Sequence, residues 1–116
     1  MNKLLLLLVS VLCAPGFAKD YTPAEIKALL TAAEKGDAQA QYEYGVAHYH
    51  VAAGGGGYVV QVGINGGPAN PLEAAKWILK SAEQGHYDAS YSISQMYDNG
   101  VGVVKSGVEA ERWLKK

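Results

Sequence analysis

The sequence predicts an all-α fold, an α/α solenoid of antiparallel helix pairs: two full pairs preceded by an N-terminal half-unit. Three observations lead there. Apolar residues recur with the 3.6-residue period of a helix. The chain matches itself at fixed offsets. Each apolar stripe is narrow and rich in alanine, so no single helix pair buries enough surface alone, and stacking pairs builds one continuous core.

The first 18 residues stand outside this pattern. Lys3 supplies a short basic start, residues 4–12 are almost entirely apolar, and Gly16-Phe17-Ala18 places small residues at −3 and −1 of a cut. This is the pattern of a secretory signal peptide cleaved after Ala18. A membrane anchor is the competing reading, but nine apolar residues fall short of the roughly 20 that a helix needs to cross a hydrocarbon core. Lipid attachment at Cys13 is opposed by Leu12, which stands where a lipoprotein signal needs a small residue. The mature domain is then residues 19–116, periplasmic or secreted, with no stable membrane anchor. Cys13 is the only cysteine and leaves with the signal, which removes disulfide, zinc-thiolate and thiol-nucleophile chemistry. Without Lys3, nine basic and eleven acidic side chains leave a formal charge of −2. Nucleic acid needs a basic stripe, and an anionic membrane a polybasic segment; the domain has neither.

Helices are expected at about 22–35, 38–52, 71–84, 87–98 and 107–116. In the first, Ile26, Leu29, Leu30 and Ala33 follow i, i+3, i+4, i+7, as do Ala75, Ile78, Leu79 and Ala82 in the third. In the second, Ala40, Tyr44, Ala47 and His48 follow i, i+4, i+7, i+8, and Ala89, Ile93, Met96 and Tyr97 repeat that phase in the fourth. Thr22, Asn70 and Ser106 each precede a glutamate by three positions (Glu25, Glu73, Glu109), the spacing of a capping box. Pro23 and Pro71 occupy the first helical position, where a missing donor is harmless. Gly36 and Gly85 sit where a helix should stop.

The self-matches fix the register of the stack. Ala33-Glu34-Lys35-Gly36, Ala40, Tyr42 and His48 correspond to Ala82-Glu83-Gln84-Gly85, Ala89, Tyr91 and Tyr97 at an offset of 49. Glu73-Ala74 and Trp77 return as Glu109-Ala110 and Trp113 at an offset of 36. The 13-residue difference requires an insertion between Tyr49 and Asn70, placed at about 53–69, where the glycine-rich tract 54–67 lies. Gly45 and Ser94 are equivalent and both small. A mid-helix glycine costs about 1 kcal/mol relative to alanine, so Gly45 points to close helix contact.

These residues resemble the Sel-1-like repeat, a relative of the tetratricopeptide repeat. Its pattern runs as an alanine-rich helix, "YxxGxGV", then "A..W..KAAEQG". Here Ala89 leads to Met96-Tyr97-Asp98-Asn99-Gly100-Val101-Gly102-Val103 and then Glu109-Ala110-Glu111-Arg112-Trp113. The preceding unit gives Ala40 to His48, Glu73-Ala74-Ala75-Lys76-Trp77 and Lys80-Ser81-Ala82-Glu83-Gln84-Gly85. The positions carrying the resemblance are Ala40, Gly45, Trp77, Ala82, Gly85, Ala89, Tyr97, Gly100, Gly102 and Trp113. There are departures. His48 replaces the usual tyrosine, the first unit exchanges its short turn for the insertion, the last helix lacks the usual ending, and the cysteine pairs of many members are absent. The resemblance implies a superhelical scaffold that binds another protein.

Chemistry is sparse. His48 and His50 stand two apart on an expected helix and face different ways, which favours a partly buried structural histidine over a metal ligand; His86 follows a helix end. No metal or cofactor is expected. Trp77, Trp113 and Tyr97 read as core, while Tyr42 and Tyr91 pack between repeats or face the concave surface. Glu109 and Glu111 are ordinary helix surface, and Ser81, Ser90, Ser92, Ser94 and Ser106 have no convergent base. Catalysis is not expected.

The insertion is where the chain differs most from a plain repeat. Tyr58-Val59-Val60-Gln61-Val62 has strand-like composition before the turn signal Asn65-Gly66-Gly67, and no lysine follows the glycines as a phosphate-binding loop requires. Loops on rigid scaffolds often carry function. Tyr42, Tyr49, Tyr58, Val60, Asn65, Tyr91 and Gln95 are therefore the expected partner-binding residues. The reading is an exported protein–protein interaction module. Small exported Sel-1-like proteins of Gram-negative bacteria include periplasmic immunity proteins that neutralise toxic effectors, which this chain resembles in size and scaffold. The alternatives are a β-lactam-binding or hydrolysing enzyme, as some cysteine-rich members are linked to, and an envelope-maintenance scaffold.

Overall fold

A computed structural model describes residues 20–53 and 59–115. The expected signal segment, Tyr58 and Lys116 lie outside the described residues. Among the described residues five helices follow in order: α1 (Pro23–Glu34), α2 (Ala38–His48), α3 (Pro71–Glu83), α4 (Tyr87–Asn99) and α5 (Gly107–Leu114). Each packs on its neighbours in sequence. Helices α2 and α3 form one unit and α4 and α5 the next, with α1 as the leading half-unit. This is the expected solenoid.

Local chemistry sets the helix ends. Thr22 closes a full capping box with Glu25, each side chain bonding the other's backbone N–H. Asn70 and Ser106 accept from the N–H of Glu73 and Glu109, but the reciprocal bonds are not made. Those two glutamates serve other partners instead: Glu73 Oε2 accepts from Trp77 Nε1 at 3.1 Å, and Glu109 pairs with Arg112 at 2.7 Å. Gly36 and Gly85 end α1 and α3 with φ of 100° and 89°, in the left-handed region that glycine enters without penalty.

The core is built twice from equivalent parts. Trp77 clusters with Ala33, Ala40 and Tyr44, and its ring meets Tyr44 edge-on at 5.6 Å between centroids. Trp113 belongs to the larger cluster with Ala82, Ala89 and Ile93, which are the same positions displaced by 49. Ala74, Ala75, Ile78 and Met96 complete that cluster. Both tryptophans are about 95% buried (relative exposure 5% and 4%) and each has a cation over its ring, Lys80 at 4.8 Å and Arg112 at 5.2 Å. At position 28, which the 49-residue offset makes equivalent to Trp77, α1 has an exposed alanine, and no helix among the described residues precedes α1.

Gly45 performs the close approach expected of it. A Cβ there would lie 2.7 Å from Ile78 Cγ1 and 3.0 Å from the Ala74 carbonyl oxygen. Gly102, at φ 69°, lets the α4–α5 turn sit on the start of α3, where a Cβ would come within 2.2 Å of the Pro71 carbonyl oxygen.

One element departs from expectation. The second helix ends at His48 rather than near residue 52, and His50–Ala53 is a strand, β1, paired antiparallel with β2 (Val59–Val62). The excursion from the repeat therefore starts at about residue 50, earlier than the expected 53. The helical periodicity ends at His48, and Tyr49, at φ −154° and ψ 110°, turns the chain into extended backbone. Beyond it the backbone pairs across strands instead of making a fourth helical turn.

Candidate interaction surface

The insertion is a β-hairpin with a rigid base. His50 pairs with Val62 and Ala53 with Val59, and a short 3-10 turn, Ile64–Gly66, follows. Gly63 is the tightest point. Its N–H donates to the Gly67 carbonyl at 2.9 Å, and a Cβ on it would lie 2.2 Å from the Pro68 carbonyl oxygen and 3.2 Å from that of His48. The Asn70 N–H donates to the His48 carbonyl at 2.8 Å, which joins the two ends of the excursion. Asn65, at φ 54°, ties the turn to the start of the chain: its Nδ2 donates to the Tyr21 carbonyl at 2.8 Å.

The expected binding residues fall into separate groups. Tyr49, Val60 and Asn65 belong to the insertion and its base. Tyr49 is half-buried against the larger core, and Asn65 is exposed. Tyr91 and Gln95 lie one turn apart on α4, both exposed, with Gln95 lining a shallow groove against α5. Tyr42 stands apart from both, half-buried between the repeats and stacked on His86 at 4.9 Å. The equivalent tyrosines thus take different environments, because α4 covers Tyr42 and no helix among the described residues covers Tyr91.

A polar ladder, which periodicity alone does not reveal, ties the C-terminal end of α3 to α2 and to the α1–α2 turn, and His86 extends it from α4 to α2. Gln84 Nε2 donates to the Gly36 carbonyl at 2.8 Å and to Gln41 Oε1 at 2.9 Å, while the buried Gln41 Nε2 donates to the Ala33 carbonyl at 3.1 Å. Ser81 Oγ donates to the Ala38 carbonyl at 2.7 Å. His86 is the N-cap of α4. Its Nδ1 accepts from the Ala89 N–H at 3.1 Å, which places the ring proton on Nε2, 2.6 Å from Gln39 Oε1. The 49-residue offset maps His86 onto Asp37, the N-cap of α2, so the signal was present in the repeat alignment.

The remaining histidines sit at the hairpin root. His48 meets Tyr44 edge-on at 4.6 Å, and burial holds its pKa below the ordinary histidine value, against a weaker upward pull from Glu73. Burial, followed by Glu73 and Glu34, pushes the Tyr44 hydroxyl up. His50 Nδ1 faces the Val46 carbonyl at 3.1 Å. Among the described residues no cluster of three or more His, Cys, Asp or Glu could hold a metal ion, and no helix is long and apolar enough to cross a membrane.

Charge is divided by layer. Helices α2 and α4 carry no lysine or arginine, only Glu43, Asp88 and Asp98, whereas Lys27, Lys76, Lys80 and Arg112 are on α1, α3 and α5. The α2–α4 layer therefore presents tyrosine and carboxylate from helices that carry no lysine or arginine.

Comparison with known proteins agrees with this architecture. The Sel1 repeat family model matches residues 38–86 and 88–116. A solved Sel1 repeat protein from Oxalobacter formigenes superposes with a TM-score of 0.61 at 24% identity, over 77% of this chain and 22% of that one. A protective antigen of uropathogenic Escherichia coli displaying an SLR fold superposes with a TM-score of 0.59 at 30% identity, over 78% of this chain and 16% of that one. The chain thus spans about a fifth of the length of these solved proteins. Among curated proteins none matches it significantly. The two matched segments begin at the first residue of α2 and the second of α4, and each runs through the helix pair that repeats the Trp77 and Trp113 packing; the chain belongs to the Sel1 repeat family.

Proposed function

We propose that the chain is an exported protein-binding module that recognises another protein through its hairpin insertion and the adjoining first-helix surface. Sel1 repeats are generally protein-interaction scaffolds, and stacked helix pairs suit that role because they hold a surface rigid without using it up in the core. The observation that carries the reading is the hairpin. The second unit turns from α4 to α5 in a few residues, but the first inserts two strands at the same place and anchors them through Gly63, Asn65 and Asn70. An inert loop would not need such an anchored base. Export rests on the basic start, apolar run and small-residue cleavage pattern of residues 1–18.

Within this class, a periplasmic immunity protein that neutralises a secreted antibacterial effector is the sharper reading, supported by the export pattern of residues 1–18 and the scaffold. Affinity capture from periplasmic extract, followed by mass spectrometry, tests it. The informative comparison replaces residues 50–69 with the short turn 99–105 of the second unit. Retained helicity with loss of the captured partner supports the reading. Capture of every partner by the short-turn variant would refute the role of the hairpin, and a partner set without toxic effectors would refute immunity in favour of envelope maintenance.

A further inference from the structure

We propose that the outer edge of β2 pairs with the same edge of a second copy of this chain, forming one four-stranded antiparallel sheet across a two-fold axis. This goes beyond the proposed function: it gives the hairpin a self-pairing edge, whatever other protein the module recognises.

The hairpin is incomplete as a sheet. Each strand is four residues long, and among the described residues the sheet consists of these two strands alone. The strands contact each other far more than they contact any helix. A two-stranded hairpin with so little to pack on is marginal in water, and a further strand is what stabilises it. Its root is fixed nonetheless. Gly63 and the bond from the Asn70 N–H to the His48 carbonyl hold the near ends of the strands, so little ordering remains when another strand joins. The open edge does not arise at an end of the repeat stack. The hairpin joins the two helices of one unit, α2 and α3, with α1 packed before it and α4 after it.

Charge decides which strand joins. Sheet edges are ordinarily guarded by lysine, other charges or proline against pairing with copies of themselves. Here residues 44–72 hold no Asp, Glu, Lys or Arg and neither strand holds proline, although every one of the five helices carries charge. A partner selected by charge would need its complement on this edge; a copy needs none. Of the two edges, that of β2 is the better template. Val59, Val60 and Val62 are β-branched, whereas β1 ends on Ala52 and Ala53 and starts against α2, with His50 Nδ1 at 3.1 Å from the Val46 carbonyl. An axis at Val60 sets that position opposite its own copy and Val59 opposite Gln61, so no like charges meet. The register places Val60 beside Ala52 and Val62 beside His50, so both copies extend one face free of lysine, arginine and carboxylate.

The test is sedimentation velocity of the full chain over a concentration series, with far-ultraviolet dichroism on every variant. A reversible dimer with Kd of about 10–100 µM is expected, in keeping with a small interface. Amides of residues 59–62 that face away from β1 should exchange more slowly as concentration rises. Val60→Lys and Val60→Glu should each raise Kd at least about tenfold with helicity unchanged, because like charges then meet across the axis. An equimolar mixture of the two variants should dimerise again, which a misfolded hairpin could not do. A chain monomeric up to about 1 mM, a dimer that survives Val60→Lys, no recovery in the mixture, or open polymers in place of a dimer would overturn the inference. Capture of every partner by the short-turn variant would remove the hairpin's recognition role and leave the dimer of the unaltered chain standing, so the two readings fail separately.

Discussion

Asn65 holds the main chain of Tyr21 at two points, its Nδ2 donating to the carbonyl and its Oδ1 accepting from the N–H, across 44 positions of sequence. The insertion is thereby fixed to the segment that leads into α1, and the carboxamide does so from a left-handed backbone that asparagine tolerates better than most residues. Asn65→Ala removes both bonds and adds backbone strain, with an expected loss of about 1–3 kcal/mol in urea unfolding. Asn65→Gly removes only the bonds and should fall between. Faster amide exchange at Tyr21 in both variants is the site-specific readout; unchanged exchange would show that the tie does not hold the chain.

Gly45 and Ser94 occupy the same repeat position with different clearances. Gly45→Ala gains about 1 kcal/mol of helix propensity but forces a methyl to 2.7 Å from Ile78 Cγ1 and 3.0 Å from the rigid Ala74 carbonyl. Net destabilisation of about 1–2 kcal/mol is expected from overpacking. Ser94→Ala, which only removes the bond from Oγ to the Tyr91 carbonyl, should change stability by less than about 1 kcal/mol. Equal effects in chemical denaturation would contradict the asymmetry.

His86 caps α4 where Asp37 caps α2. His86→Ala should lower stability by about 1 kcal/mol through loss of the cap, and more if the stack on Tyr42 contributes. His86→Asp restores the cap while losing the stack and the contact with Gln39. Thermal unfolding of the two variants therefore separates capping from inter-repeat contact.

His48 gives the fold a pH dependence of definite sign. Its folded pKa lies below the unfolded value of about 6.5, so the unfolded chain binds more protons in this range. Stability contributed by neutral His48 is complete above about pH 6.5 and declines as pH falls toward the folded pKa. His48→Tyr should flatten the unfolding midpoint between about pH 7 and pH 5. A variant that keeps the wild-type slope would place the sensitivity elsewhere.

The helix frame was legible because it is periodic and repeated. Ala33, Ala40 and Trp77 announced their partners through Ala82, Ala89 and Trp113, and Gly45 announced the contact with Ile78. The hairpin was half legible. The strand-like run before Asn65 points to β2, but the expected helix runs on to residue 52 because His50, Val51 and Ala52 carry no local signal against it; only pairing with residues 60–62 decides their conformation. The carboxylate partners were hidden for a similar reason. The spacing of Glu73 from Asn70 suits a capping box, yet it is Trp77, one turn on, that takes the side chain. The described members of the expected binding set lie apart because equivalence in the repeat does not mean equal exposure: α4 covers Tyr42, and no helix among the described residues covers Tyr91.

The bond from the Asn70 N–H to the His48 carbonyl has a wider implication. It fastens the mouth of the excursion, so the distance between the end of α2 and the start of α3 does not depend on how much chain lies beyond it. Closing a longer loop adds only about 0.6 kcal/mol for each doubling of length. The site can therefore exchange one protruding segment for another while the tryptophan-centred stack keeps its spacing, much as a tool holder accepts different bits.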